Sequence, residues 1–135
     1  MEHQSTRMYR DIDAAELAGR LGTDDEPFVL DVREPSEVVE WTIPGATNVP
    51  LGELAARLGE LPHDREVVVV CAAGGRSAGA ADFLAAAGLR VANLRGGMAA
   101  WGAVYDWVVV EVDDVRVVQV RRRGKGCNSH WRAMT

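Results

Sequence analysis

The chain has 135 residues, 47% of them apolar and 26% charged, with a formal net charge of −5. That length supplies one domain of ordinary size and excludes two cores of useful extent, and the acidic balance excludes an overall attraction to nucleic acid or to an anionic membrane surface. No apolar run approaches the roughly 18 residues that cross a bilayer, and two cysteines, Cys71 and Cys127, are too few for a disulfide scaffold.

Residues 1–10 are polar and lack an apolar segment of leader type, so no secretory signal is expected. A reducing, cytoplasmic setting is the expectation, and there a lone thiol stays available as a reagent. Residues 8–12 read as a short strand. Asp13 is placed to cap a helix over 14–21, with Ala14, Leu17, Ala18 and Leu21 on one face. Residues 28–32 form a short apolar run of buried-strand type. A helix is expected over 34–41 with Pro35 in its first turn, then a break at Pro44-Gly45 and a short strand over 47–49. Residues 52–61 read as a helix, with Leu54, Leu58 and Leu61 spaced for one face.

The strongest strand covers 66–71 and holds four consecutive valines, a pattern for a central parallel strand covered on both faces. A small-residue loop follows, then an alanine-rich helix over 76–87 that Gly88 stops. Residues 89–94 form another strand, Gly96-Gly97 turns the chain, and residues 98–101 open a short helix. The alternation predicts an α/β fold: a mostly parallel central sheet with helices on both faces and right-handed crossovers. Two β-rich runs, 107–112 and 115–120, flank Asp113-Asp114 and predict a C-terminal β-hairpin. A basic cluster over 121–125 and a loose polar end without periodicity follow. The expected organisation is one domain over 1–103 and an extension over 104–135.

The chemistry concentrates where the valine strand ends, in Cys71-Ala72-Ala73-Gly74-Gly75-Arg76-Ser77. Two glycines and three small side chains let the backbone curl and turn its N–H groups inward, and the following helix adds its positive N-terminus. Such a field favours thiolate over thiol and lowers a cysteine below its free pKa of about 8.5. The thiolate is the nucleophile, and the same donors hold an oxyanion. The competing reading is a small buried cysteine at a strand end with Arg76 merely opening a helix.

Four segments together resemble the rhodanese superfamily: Asp31-Val32-Arg33-Glu34-Pro35-Ser36-Glu37, Ile43-Pro44-Gly45-Ala46-Thr47-Asn48-Val49-Pro50, the Cys71–Ser77 loop, and Leu94-Arg95-Gly96-Gly97-Met98 with Trp101. They stand in the family's order and span about residues 8–103. The resemblance implies a rhodanese-like fold and a sulfurtransferase in which the Cys71 thiolate takes the outer sulfur of a thiosulfate-like donor. The resulting persulfide passes to a thiol, to cyanide, or to a protein sulfur acceptor. It implies that the backbone of Ala72, Ala73, Gly74, Gly75, Arg76 and Ser77 stabilises the anions, and that Arg76 binds the donor and helps lower the thiol. Asp31 and Arg33 are implied as supports of the loop. The spacing is Cys-x4-Arg, whereas related phosphatases use Cys-x5-Arg, which disfavours phosphate esters. One departure stands out: Trp41-Thr42 occupy the positions of the family's Gly-His pair, a change that bears on local packing.

No cofactor is implied and no metal is expected, because His3, His63 and His130 have no ligand spacing to one another or to a cysteine. Residues 118–127 are similar to the entry strand of metallo-β-lactamase-fold thiol and persulfide hydrolases. That leaves the extension as a fusion remnant, a docking hairpin or a dimerising strand, with Cys127 as a candidate sulfur acceptor. Against the enzyme stands a second class of function, a sulfur carrier or adaptor that docks on a partner and turns over little free thiosulfate. A binding module without chemistry ranks below both, since such a module would have lost the cysteine.

Overall fold

The computed structural model describes residues 8–38, 42–112, 115–122 and 131–134. Five strands form one sheet: β1 (Arg10–Ile12), β2 (Phe28–Asp31), β3 (Thr47–Asn48), β4 (Val67–Val70) and β5 (Val91–Leu94). Their order is β1-β5-β4-β2-β3, and every neighbouring pair runs parallel. The expected parallel α/β architecture is therefore present.

The valine strand lies at the centre, and its four side chains are buried. Side chains alternate along a strand, so Val68 and Val70 face one way and Val67 and Val69 the other. Val68 and Val70 pack with Ala14, Leu17 and Ala18 of α1 (Ala14–Arg20) and with Met98 and Trp101 of α4 (Gly97–Val104). Val67 and Val69 pack with Ala80, Ala81, Leu84 and Ala85 of α3 (Gly75–Ala86), together with Leu54 and Leu61. Helices thus cover both faces, which is why a run without polar alternation is stable there.

Local chemistry explains the element ends. The Asp13 carboxylate accepts from the Glu16 N–H at 2.8 Å and caps α1. Glu37 accepts from the Glu34 N–H at 2.8 Å, the reciprocal half of a capping box, and starts α2 (Pro35–Val38). The expected continuation of that helix over 39–41, Trp41 included, lies outside the described residues. α3 closes at Gly88, whose φ of 97° admits the left-handed turn, and Leu89 N–H bonds back to Leu84. That closure ties Leu89 to the end of the helix, and β5 starts at Val91 rather than at 89.

One expected helix is corrected. Residues 52–61 form two short 3-10 helices, Leu51–Glu53 and Leu58–Glu60, not a continuous α-helix. Pro50 precedes the first, Gly52 and Gly59 weaken α-helical propensity, and the N–H groups of Glu53, Leu54, Glu60 and Leu61 bond three residues back. Leu54 and Leu61 are buried all the same, because a spacing of three or four residues serves both helix types.

The C-terminal hairpin is present as β6 (Tyr105–Val112) and β7 (Val115–Arg122), antiparallel, with Val112 opposite Val115. Asp113-Asp114 lie outside the described residues. The loose polar end expected after it is corrected in part: Trp131–Met134 form β8, antiparallel to β7. A four-residue strand takes its register from its neighbour and needs no periodicity of its own. Cys127 lies outside the described residues. Among those described, no helix is long and apolar enough to cross a membrane.

Candidate active site

A parallel sheet gathers the carboxyl ends of its strands on one edge, where ligands of open α/β sheets bind. Here that edge brings together Asp31 at the end of β2, Cys71 just past β4, and Arg95-Gly96 after β5. Asp31 lies opposite Val70, and Val32 N–H bonds Val70 O at 2.9 Å.

The loop after Cys71 is held by the first turn of α4. The opening N–H groups of a helix have no partner within it. In α4 those of Met98 and Ala99 donate to Cys71 O and Ala72 O at 2.8 and 3.0 Å. The contact is so close that a Cβ on Gly97 would lie 2.2 Å from Cys71 O and 2.9 Å from Ala72 O. Gly97 also has a φ of 56° and Gly96 one of 76°, a conformation that glycine adopts at little cost. With its carbonyls engaged by α4, the loop turns its N–H groups toward the sulfur. Gly74, at φ 103°, completes the reversal into α3.

Cys71 is buried, and its Sγ accepts from Gly74 N–H at 3.0 Å and from Ser77 N–H at 3.3 Å. As a neutral thiol Cys71 donates to Ser77 Oγ at 3.3 Å. The single proton of that hydroxyl has Asn93 Oδ1 and Gly74 O, the latter at 3.2 Å, as acceptors while Cys71 is a thiol, and turns to Sγ when Cys71 is a thiolate. Burial pushes the Cys71 thiol up, but the Ser77 hydroxyl and the N–H groups of Ser77, Gly74 and Ala73 outweigh it and hold the thiol below its ordinary value. The arrangement is a nest of donors around the sulfur that favours its anion, able to serve a nucleophile and to hold negative charge on an attached atom.

Ser77→Ala tests that balance. Removing the hydroxyl removes a bond that favours the thiolate, so the acid limb of a pH–activity profile is expected to move to higher pH. Activity below that limb falls about fivefold, as the loss of roughly 1 kcal/mol from one hydrogen bond implies. A profile superimposable on that of the unaltered protein would remove Ser77 from the control of Cys71.

The other expected site residues are also placed here. Asp31 and Arg33 form a buried ion pair, with Arg33 Nη2 2.7 Å from Asp31 Oδ2 and Arg33 Nε 3.0 Å from Oδ1. This is not the solvated surface pair that would be worth little; each buried charge has its partner. Asn48 Nδ2 donates to the carbonyls of Asp31 and Arg33 and so ties β3 to the same corner. Thr42 Oγ1 donates to Asp31 Oδ2 at 3.2 Å. At the position where the resemblance led one to look for histidine, the threonine hydroxyl thus supplies a polar link to the buried pair.

Arg76 is engaged by Glu37: Nη1 to Oε1 at 2.9 Å and Nη2 to Oε2 at 3.0 Å. The Arg76 guanidinium and the Glu34 N–H hold the Glu37 carboxyl down at about 2, so it is ionised at any ordinary pH. Arg33 Nη1 reaches Glu37 O at 3.5 Å. A chain of contacts therefore runs Asp31–Arg33–Glu37–Arg76 and ends in the loop. Sequence reasoning singled out Cys71 to Ser77, Asp31 and Arg33, and missed the roles of Glu37, Thr42 and Asn93. Asn93 left a signal, since it is the lone polar residue in the buried run Val91-Ala92-Asn93-Leu94.

A cleft of about 690 Å³ opens at the opposite, amino-terminal edge of the sheet, between Arg10, Arg20 and Glu66 among others. Ion pairs fill its walls: Arg10 and Arg20 both reach Glu66, at 3.1 and 2.7 Å. Among the described residues no group of three or more His, Cys, Asp or Glu side chains is placed to hold a metal ion.

Comparison with known proteins adds to this geometry. A model of the Rhodanese-like domain matches residues 13–104. A sulfurtransferase of Allochromatium vinosum is 39% identical over 95 residues, covering 70% of this chain and 89% of the relative. A putative sulfur carrier protein of Bacillus subtilis is 36% identical over 83 residues, covering 61% of this chain and 45% of the relative. The crystal structure of a rhodanese-related protein from Thermoplasma volcanium matches with a TM-score of 0.66 at 38% identity, covering 70% of this chain and 92% of that one.

Proposed function

The chain belongs to the rhodanese-like domain family, and from that premise we propose that it moves a sulfane sulfur from thiosulfate or a similar donor to a thiophilic acceptor through a persulfide on Cys71. The observation that carries this reading is the convergence of Gly74 N–H and Ser77 N–H on Cys71 Sγ, with the Ser77 hydroxyl in hydrogen-bond contact beside them.

In the first half-reaction the Cys71 thiolate attacks the outer sulfur of thiosulfate. A new S–S bond forms, the donor's S–S bond breaks, and sulfite leaves with its electron pair. The persulfide carries the negative charge that the thiolate brought, now one atom further out and facing the same N–H groups. In the second half-reaction an acceptor (cyanide in an assay, a thiol or a protein thiolate otherwise) attacks the outer sulfur and the Cys71 thiolate is released. Splitting the transfer this way lets one nucleophile serve chemically different donors and acceptors. Arg76 binds the anionic donor in this scheme, while the buried Asp31–Arg33 pair holds the corner from which Glu37 reaches Arg76. The chemistry belongs to residues 1–103, with 104–135 as an extension, and a reducing cytoplasm suits a thiolate in use.

Intact-protein mass spectrometry after brief thiosulfate treatment tests the reading. A gain of one sulfur, about 32 Da, that cyanide reverses is expected. Absence of that gain with thiosulfate and with organic persulfides alike would sink it. Arg76→Ala is expected to lower kcat/KM for thiosulfate about tenfold, the scale of one charge-assisted contact to a donor, with little change in melting temperature. An unchanged kcat/KM would remove Arg76 from donor binding.

The likeness to a putative sulfur carrier protein favours a second reading, a carrier that docks on a partner and turns over little free thiosulfate. Rapid loading of Cys71 with sulfur but slow release to cyanide, beside fast release to a protein thiol, would select it.

A further inference from the structure

Arg76 shares the loop with Cys71 and feels its charge, and both Arg76 and the neighbouring Arg33 are already paired with a carboxylate. Arg33 is buried against Asp31. Arg76, 38% exposed, is paired with Glu37, itself 35% exposed. Glu37 does not reach Arg76 by chance of rotamer. Its Oε1 also accepts from the Glu34 N–H, so the start of α2 holds the carboxylate in place from a position 39 residues away in sequence. The pair has fork-to-fork geometry, with both carboxylate oxygens used.

We infer that Glu37 determines donor selectivity: its carboxylate occupies the guanidinium that a small dianionic sulfur donor needs, and so biases the site toward donors of lower charge, such as an organic persulfide. The inference rests on the sulfur-transfer reading of Cys71. Thiosulfate brings two negative charges to a loop that already holds a thiolate. To use Arg76 it must displace Glu37, and the freed carboxylate then stands beside both anions. An alkyl persulfide carries at most one negative charge and depends less on the guanidinium. Cys71 attacks its outer sulfur, the donor's S–S bond breaks, and the alkyl thiolate leaves. Because the pair is partly solvated, the bias is moderate and sensitive to salt.

Glu37→Gln isolates the charge, since the amide oxygen still accepts from the Glu34 N–H and keeps the start of α2. KM for thiosulfate is expected to fall about two- to fivefold, in line with a partly exposed ion pair, while kcat moves less than about twofold because the nest around Sγ is untouched. The ratio of kcat/KM for thiosulfate to that for an alkyl persulfide, which carries at most one negative charge, rises, and added sodium chloride shrinks the rise. Equal changes for the two donors would mark Glu37 as a structural support and overturn the inference. A second measurement needs no turnover: thiosulfate binding to Cys71→Ser, by calorimetry, is expected to tighten by the same factor when Glu37→Gln is added. Adding Arg76→Ala as well is expected to erase that gain. No tightening, or tightening that survives the loss of Arg76, would overturn the inference whatever the mass spectra show. Failure to load sulfur on the unaltered protein would instead overturn the role of Cys71.

Discussion

Cys71→Ser is expected to abolish sulfur transfer, by about 10³-fold or more, the scale at which removal of a nucleophile acts, while leaving the fold in place. Serine is nearly isosteric with cysteine, and its oxygen meets the same donors, Gly74 N–H and Ser77 N–H. The pocket therefore stays filled and its polar groups stay paired, so the cost in stability is on the order of 1 kcal/mol or less. What is lost is chemical. The nest that lowers a thiol does not bring a hydroxyl into the ionised range, and an alkoxide has none of the affinity of sulfur for sulfur. Thiosulfate:cyanide turnover and intact mass after thiosulfate check the first half of this expectation, and thermal unfolding the second. Transfer at the unaltered rate by this variant would remove Cys71 from the reaction. A collapse of the melting temperature would instead favour the view of Cys71 as a packing residue, which its burial alone allows.

How far the site was legible depended on how local its causes are. The four valines of β4 announced a strand covered on both faces because a solvent-facing strand alternates, and the two core clusters divide those valines between α1 with α4 on one side and α3 on the other. The loop after Cys71 was legible for a similar reason, since small residues and glycines are what a tight reversal into a helix requires. The 3-10 helices around Gly52 and Gly59 were not, because leucines three and four residues apart look alike in either helix. β8 escaped because its register comes from β7 and not from its own four residues. The contacts that shape the site escaped for want of any local signal. Glu37 meets Arg76 across 39 residues of sequence, Ser77 meets Asn93 across 16, and Thr42 meets Asp31 across 11. Parallel topology brings these positions to one edge of the sheet, and that adjacency exists only once the strand order is known. The sequence also led to Arg76 as a neighbour of the thiolate, yet the groups that favour the thiolate over its burial include a hydroxyl and three backbone N–H groups.

Gly97→Ala carries the second large effect, and it bears on whether the nest is built by the loop alone or by the helix behind it. Sequence reading assigned Gly96-Gly97 to a turn. The structure gives Gly97 a sharper reason: a methyl group there would lie 2.2 Å from Cys71 O, closer than any real contact, and the φ of 56° is unfavourable for alanine. Cys71 O is also the acceptor for Met98 N–H, so the chain cannot yield without breaking the bonds that orient the loop. Strained backbone and overpacking together are expected to cost about 2–5 kcal/mol. For a domain of this size that lowers the melting temperature by about 10–20 °C. Activity is expected to fall further than stability, because a shift of about 1 Å in a positioned N–H group costs on the order of 10²-fold in rate. Gly79→Ala supplies the control. Gly79 lies in α3, where an added methyl meets nothing within 4 Å, and alanine there is expected to raise stability by up to about 1 kcal/mol. Thermal unfolding and thiosulfate turnover of the two variants side by side decide the matter. If Gly97→Ala unfolds and turns over like Gly79→Ala, the approach of α4 to the loop is not what holds the N–H groups on Cys71. If it loses turnover at temperatures where it remains folded, the first turn of α4 is part of the machinery that holds the donors on that sulfur.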